Sequence, residues 1–423
     1  MEANLIEIRQ FWWFLPSSLC FVGLFLSSWI IISAPTWSLL FFNLCSPEMS
    51  PWLVVLNAIA LSLATLTDRS WWSDLIIICS LISLLISFLP LTQFGRANRA
   101  FKAEMERALG ADYISHISQS DRDKMRSRPL SIVDVFRGIP QSEVRIERGI
   151  VFASPDGVDL KLNTYRPLKK SDKNPTLIII YGGAWRSGSP DDYERFNIYI
   201  AARGYTVIAV DYRHVPKYRF PNQLEDVETA LQYIQTHAVD LEVDLAKMAV
   251  MGRSAGGHLA KLAVYKPNAI PFKAVISYYG PADLAKGYYD LPHPNPIGVQ
   301  NMLDDFIGGS PKEKPELYQQ ASPINYAFSD LPPTLLVNAG RDHLVQAKFG
   351  RRLYDKLRKS DNRAAYLEIP WAEHAFDAIF FGISNQLALY YTERFIAFTL
   401  KSVPNRDKLR KNTKCKILQS ASY

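Results

Sequence analysis

The sequence predicts an α/β protein: a mostly parallel, doubly wound sheet preceded by an N-terminal transmembrane helical region. Three observations carry that prediction. From residue 141 to 402, short β-branched runs alternate with amphipathic helical patterns, as in a sheet covered by helices on both faces. The segment Gly252-Arg253-Ser254-Ala255-Gly256 stands between one such run and one such helix. The first 93 residues hold three apolar runs without a single charged side chain.

The first run covers residues 11–33. At about 1.5 Å per residue it makes a helix of about 34 Å, enough for a hydrocarbon core. It does not read as a cleaved signal peptide, because Glu2 and Glu7 stand where a basic start belongs and two further runs follow, at 51–67 and 75–91. Trp12, Trp13, Trp37, Trp52, Trp71 and Trp72 lie near run edges, where amphipathic rings favour the headgroup layer. Two to three spans are therefore expected within 1–93. Arg96, Arg99, Lys102 and Arg107 follow the last run and argue that the large domain after it is cytoplasmic; the loop between the first two runs has no Lys or Arg, which with three spans argues the reverse. The larger cluster decides the expectation.

Residues 94–140 are polar and charged, carry a predicted helix over 96–109, and read as a linker or cap. The domain expected at 141–402 opens with strands at 144–152 and 158–165, joined through Pro155-Asp156-Gly157 in hairpin chemistry. Strands follow at 176–181, 205–211, 248–252, 274–279, 334–337 and 366–369, with helices at 191–202, 223–236 and 255–264 between them. An insertion between Gly280 and Leu331, longer than an ordinary loop, carries Tyr288, Tyr289, Pro292, Pro294, Met302 and Phe306. Together with 94–140 it reads either as a lid over an apolar pocket or as a surface excursion. A basic tail is expected at 403–423, within a stretch from Lys401 to Lys416 suited to anionic lipid or to plain solvation.

Up to Leu91 the chain has two basic against five acidic side chains, a net of −3, so the +7 of the whole leaves +10 for the rest. Without a zinc-finger or Arg-rich helical motif that excess does not indicate nucleic acid; beside membrane spans it fits an anionic lipid surface. Cys20, Cys45, Cys79 and Cys415 all lie outside 141–402, so that domain encodes neither a disulfide framework nor a Cys-based metal site.

Ser254 carries the chemistry. A serine on a sharp turn between strand and helix, flanked by Gly252 and Gly256, is the arrangement that projects a nucleophilic hydroxyl. Such a hydroxyl needs a base, and His374, in Trp371-Ala372-Glu373-His374-Ala375 after the last strand, is the histidine placed to reach it. His258, one turn along the helix, reads as packing or capping, and His343 as a loop residue. Asp342, after the strand at 334–337, is the acid that would hold the imidazole tautomer, ahead of Asp330 and Asp355. Ser254, Asp342, His374 then follow in the order this kind of site uses. Backbone donors for an oxyanion are expected from Gly182, Gly183 and Ala255.

These residues, with Asp211-Tyr212-Arg213, Phe220-Pro221, Leu224-Glu225-Asp226-Val227 and Tyr279-Gly280-Pro281-Ala282-Asp283-Leu284, resemble the α/β-hydrolases of the hormone-sensitive-lipase and feruloyl-esterase-like type, and also isoprenylcysteine methylesterases and kynurenine formamidases. The resemblance covers about 144–400 and leaves the membrane region and linker outside. It implies acyl transfer through a covalent serine ester, with no metal or organic cofactor; a small-molecule ester is the expected substrate, or a lipid-derived one on the strength of the hydrophobic N-terminus. Tyr181-Gly182-Gly183-Ala184-Trp185 matches the family's H-G-G-x-W loop except that tyrosine replaces histidine, which puts that loop's hydrogen-bonding anchor in question. The alternatives are an amidase or peptidase of the same fold, and a membrane-tethered interaction domain that has lost activity. Oligomeric state stays open.

Overall fold

The structure, a computed structural model, describes residues 2–267 and 269–402, with side chains from Trp13 onward. The tail expected at 403–423 lies outside the described residues.

Four helices open the chain: α1 (Glu2–Ser28), α2 (Trp37–Glu48), α3 (Ser50–Thr65) and α4 (Trp71–Leu109). α1, α3 and α4 pack on one another. Their shared interior is polar: Asn57 Nδ2 donates to Ser27 Oγ at 2.9 Å and to Ser87 Oγ at 3.0 Å, and the two hydroxyls lie 2.9 Å apart. Their outer faces are apolar, with Phe14, Phe21, Trp71, Ile78 and Leu85 more than half exposed, the reverse of a water-facing bundle. Among the described residues α4 alone is long and apolar enough to cross a bilayer; α2 and α3 make a second such segment only if taken together across an 84° bend, and the apolar part of α1, Trp13–Ser28, is shorter.

The run at 75–91 and the helix predicted over 96–109 are one continuous helix of 39 residues with Pro90 inside it. Proline disfavours a helix interior, but the second half of α4 is held by packing. Phe94, Ala97, Phe101, Met105 and Ala108, spaced three or four apart, enter the core of the sheet domain. The ring of Phe94 lies 5.9 Å from that of Trp371, and the ring of Phe101 5.5 Å from that of Tyr391. The division expected after residue 93 thus falls inside α4. Two short helices follow, α5 (Gln119–Arg122) and α6 (Ile132–Arg137). Tyr113, Val135 and Ile139 join the same core, so 94–140 pads one face of the sheet and forms no lid.

Eight strands follow: β1 (Arg145–Ala153), β2 (Leu160–Arg166), β3 (Asn174–Ile180), β4 (Thr206–Val210), β5 (Val243–Arg253), β6 (Ala274–Tyr278), β7 (Thr334–Ala339) and β8 (Ala364–Ile369). Their order is β1-β2-β4-β3-β5-β6-β7-β8, antiparallel from β1 through β2 to β4 and parallel across the rest. Between them run α7 (Glu194–Ala201), α8 (Asn222–Thr236), α9 (Ala255–Tyr265), then α10 (Leu284–Tyr289), α11 (Val299–Ile307) and α12 (Pro315–Gln320) of the insertion, and finally α13 (Ala347–Lys359) and α14 (Ile383–Lys401). One apolar core joins the sheet to α4, α7 and α14, and a second joins the opposite face to α8, α9, α11 and α13. Burial on both faces explains why the central strands read as unbroken apolar runs. The parallel strands all point their C-terminal ends to one edge, where ligands of open α/β sheets bind.

Candidate active site

β5 ends at Arg253 and α9 begins at Ala255, so Ser254 alone makes the turn, with φ 50° and ψ −122°. Two glycines permit it. A Cβ on Gly252 would lie 2.1 Å from Gly256 O, and one on Gly256 2.1 Å from Ile180 O. No larger residue fits at either position.

His374 stands on the loop after β8 and Asp342 on the loop after β7. His374 Nε2 is 2.9 Å from Ser254 Oγ, and Nδ1 is 2.8 Å from Asp342 Oδ2. The other carboxylate oxygen of Asp342 accepts the N–H groups of Leu344 at 2.8 Å and Val345 at 2.7 Å, which fixes its plane. A carboxylate on Nδ1 keeps the proton there and leaves the Nε2 lone pair facing the hydroxyl. Burial by itself pulls the His374 pKa down. The charge and hydrogen bond of Asp342, with Glu373 and Asp377 behind, outweigh it and hold the imidazole above its ordinary value.

Gly182, Gly183 and Ala255 line the same cavity as Ser254 and His374. Among the described residues Gly182 and Gly183 donate their N–H to no protein group, and Ala255 opens a helix, where N–H groups have no intrahelical partner. These donors are free to meet an anionic oxygen. The cavity, about 720 Å³, is lined also by Ile297, Asn301 and Met302 of the insertion and by Trp37. Of the residues expected in a lid, Met302 lines it, whereas Tyr288, Tyr289, Pro292, Pro294 and Phe306 do not.

Tyr181 occupies the position where the resembling family has histidine. Its hydroxyl donates to Asp211 Oδ1 at 2.5 Å, and His214 Nε2 lies 2.9 Å from it. The ring stacks on Tyr212 at 4.5 Å between centroids. The loop therefore keeps a hydrogen-bonding anchor. Tyr181→Phe is expected to cost about 1–3 kcal/mol, because Asp211 and His214 lose their shared partner inside the protein; chemical denaturation of the two proteins measures it. Arg213 and Asp226, from two of the quoted motifs, form a buried pair with 2.7 Å between Nη2 and Oδ1.

Three features escape sequence reasoning. Glu373 Oε2 meets His343 Nδ1 at 2.6 Å, while its Oε1 accepts the N–H groups of His343 at 2.8 Å and His374 at 3.0 Å, so one side chain ties together the loops bearing Asp342 and His374. The adjacent acid-imidazole dipeptides Asp342-His343 and Glu373-His374 are the only hint of it. Arg253, wholly buried, pairs with Asp377, which also accepts from the Tyr279 hydroxyl. Trp37 reaches the cavity from the N-terminal region. His258 is buried, accepts no role at Ser254, and bonds Ala321 O through Nε2 at 2.6 Å; burial pushes it down to about 3.

Residues 162–357 match the family model described as BD-FAE. The chain is 30% identical over 219 residues to a probable carboxylic ester hydrolase, LipM, of Mycobacterium tuberculosis, covering 48% of this chain and 50% of that one. It is 30% identical over 224 residues to an arylesterase of Saccharolobus solfataricus, covering 49% and 70%. The chain spans about half the length of the first curated relatives it matches. Among solved structures, a thermophilic esterase of Thermogutta terrifontis with propionate bound superposes with TM-score 0.50 at 25% identity, covering 63% of this chain and 97% of that one.

Proposed function

Because the chain belongs to the hormone-sensitive-lipase-like α/β-hydrolases, we propose that it is a membrane-anchored serine hydrolase of carboxylic esters. Ser254 is the nucleophile, His374 the general base, Asp342 the acid that orients it, and the N–H groups of Gly182, Gly183 and Ala255 bind the oxyanion. The observation that carries this is the continuous relay Asp342–His374–Ser254, at 2.8 and 2.9 Å, opening into a cavity with free backbone donors.

Ser254 Oγ attacks the ester carbonyl while its proton passes to His374 Nε2. The imidazolium, stabilised by Asp342, returns that proton to the departing alkoxide, leaving an acyl ester on Ser254. A water then gives its proton to Nε2, attacks the acyl carbon and releases the carboxylic acid. The same geometry cleaves amides, so leaving-group preference is a property of the pocket. The Tyr181 network argues against an inactive tethered domain, since the substitution supplies its own hydrogen bonds. Fluorophosphonate labelling tests the reading: labelled Ser254 and faster turnover of p-nitrophenyl esters than of aryl amides support it, and an unlabelled protein overturns it.

The pH profile is a further expectation. His374 works only when neutral, and its pKa lies above the ordinary imidazole value of about 6.5. Activity should therefore fall on acidification already above that pH, and Asp342→Asn should move the acid limb of kcat/KM to lower pH.

Support for the anchor comes from the apolar outer surface of α1, α3 and α4 and from the length of α4. Arg96 and Arg99, exposed just beyond its apolar half, favour a cytoplasmic catalytic domain. The substrate class is a small or lipid-derived ester.

A further inference from the structure

The N-terminal helices do more than sit beside the catalytic domain. α2 crosses α3 at 84° and is fastened at its middle and at its C-terminal end. At its C-terminal end Glu48 accepts the N–H of Ser384 at 2.9 Å, at the start of α14. From the middle of the helix buried Asn43 closes the loop from α1: its Oδ1 accepts from Ala34 N–H at 2.5 Å, and its Nδ2 donates to Trp29 O at 2.7 Å and Ile32 O at 2.8 Å. Trp29, Ala34 and Leu40 pack against Ile297 and Leu344, which themselves line the cavity of Ser254.

Trp37, the first residue of α2, lines that cavity and is nevertheless 65% exposed. Around it Phe41 is also 65% exposed, and Ile31 and Ile32 are 51% exposed. These residues add exposed apolar surface, next to Trp37 in the chain, to that of the outer face of the helical bundle. Buried interhelical polar groups and an outward apolar face are what a lipid environment favours.

Resting on the reading of the chain as an anchored ester hydrolase, we propose that the cavity is entered sideways from the lipid phase past Trp37, and that the natural substrate is an amphipathic ester whose hydrocarbon chain stays in contact with the bilayer while its carbonyl reaches Ser254. Each methylene that leaves hydrocarbon for water costs about fourfold in partition, so a long-chain ester does not reach a mouth that faces water alone. A mouth that Trp37 lines, with Phe41, Ile31 and Ile32 exposed beside it in the chain, lets the hydrocarbon pass without that transfer. The same cavity also has a polar part of its lining, where Arg186 pairs with Asp305.

The test uses the full chain in vesicles of phosphatidylcholine with phosphatidylglycerol and two p-nitrophenyl esters, acetate in water and palmitate in the bilayer. The leaving group is common, so the ratio of their kcat/KM values reads access of the chain. Trp37→Ala is expected to lower the palmitate-to-acetate ratio about tenfold, and Trp37→Phe to retain most of it. The double substitution Ile31→Asn with Ile32→Asn, exposed and outside the cavity lining, is expected to lower the ratio in the same direction. A ratio unchanged within twofold in both the alanine and the asparagine variants overturns the lateral entrance. Failure of the wild type to label with fluorophosphonate overturns the hydrolase reading instead, and labelled wild-type protein recovered without the vesicles overturns the anchor.

Discussion

Replacing Ser254 by alanine is expected to lower kcat for p-nitrophenyl esters by about 10⁶-fold and to leave the fold intact. The hydroxyl is the only atom removed, and its hydrogen bond is to His374 Nε2. The turn is held instead by Gly252, Gly256 and the Ser254 N–H, which donates to Tyr278 O at 2.9 Å. Stability should change by no more than about 1.5 kcal/mol, the net worth of the one hydrogen bond lost. His374→Ala should lose a comparable factor, and Asp342→Asn about 10⁴-fold through the wrong tautomer. Turnover and thermal unfolding of the same preparations decide the matter: an alanine variant that keeps a tenth of wild-type kcat would falsify the proposed mechanism.

The largest stability effect is expected at Asp377. Arg253 is wholly buried, its Nε paired with Asp377, and its Nη1 and Nη2 have no hydrogen-bond partner. The guanidinium lies instead over the rings of Tyr193 and Phe196, 4.2 and 4.4 Å from their centroids. Burial disfavours its charge, and Asp377, with Tyr279 and Tyr193 beside it, more than restores it. Asp377→Ala strands that charge in a low-dielectric interior and is expected to cost about 3–5 kcal/mol. Arg253→Met combined with Asp377→Leu should recover most of the loss, because no unpaired charge remains. Denaturation of the two single variants and the double variant measures both terms. Arg253 directly precedes Ser254 and Asp377 lies three residues beyond His374, so the single variants should also lower kcat by loosening the serine against the imidazole.

A smaller effect of the same kind is expected at Glu373. Its carboxylate holds the backbone of both His343 and His374, and Glu373→Ala should lower kcat while leaving fluorophosphonate labelling detectable.

The strands were legible because β3 to β8 run parallel and are buried on both faces, which turns them into short apolar runs bounded by polar turns. α13 was equally legible in principle, since Phe349, Leu353 and Leu357 form one stripe. α14 was not: it is buried on nearly all sides, so its sequence has no polar face to reveal a period. The merger of the third apolar run with the helix after it was hidden by Pro90, a local stop signal overridden by the contacts of Phe94 and Phe101 with Trp371 and Tyr391.

The sequence by itself determined the strand-turn-helix around Ser254, because the demand for glycine at Gly252 comes from the Gly256 carbonyl, within the same five residues, whereas the demand at Gly256 comes from Ile180 of β3. It also determined the order of the candidates Ser254, Asp342 and His374, since each follows a strand whose direction the alternating pattern sets. Tertiary structure alone decided which side chains meet across long separations: Arg253 with Asp377, Glu373 with His343, Tyr181 with His214, and Trp37 with the cavity. None of these pairs carries a periodic or local signal. A hydrogen bond, a buried charge pair or a cavity wall is selected by the distance between side chains in space, and that distance is set by the packing of the whole sheet against its helices.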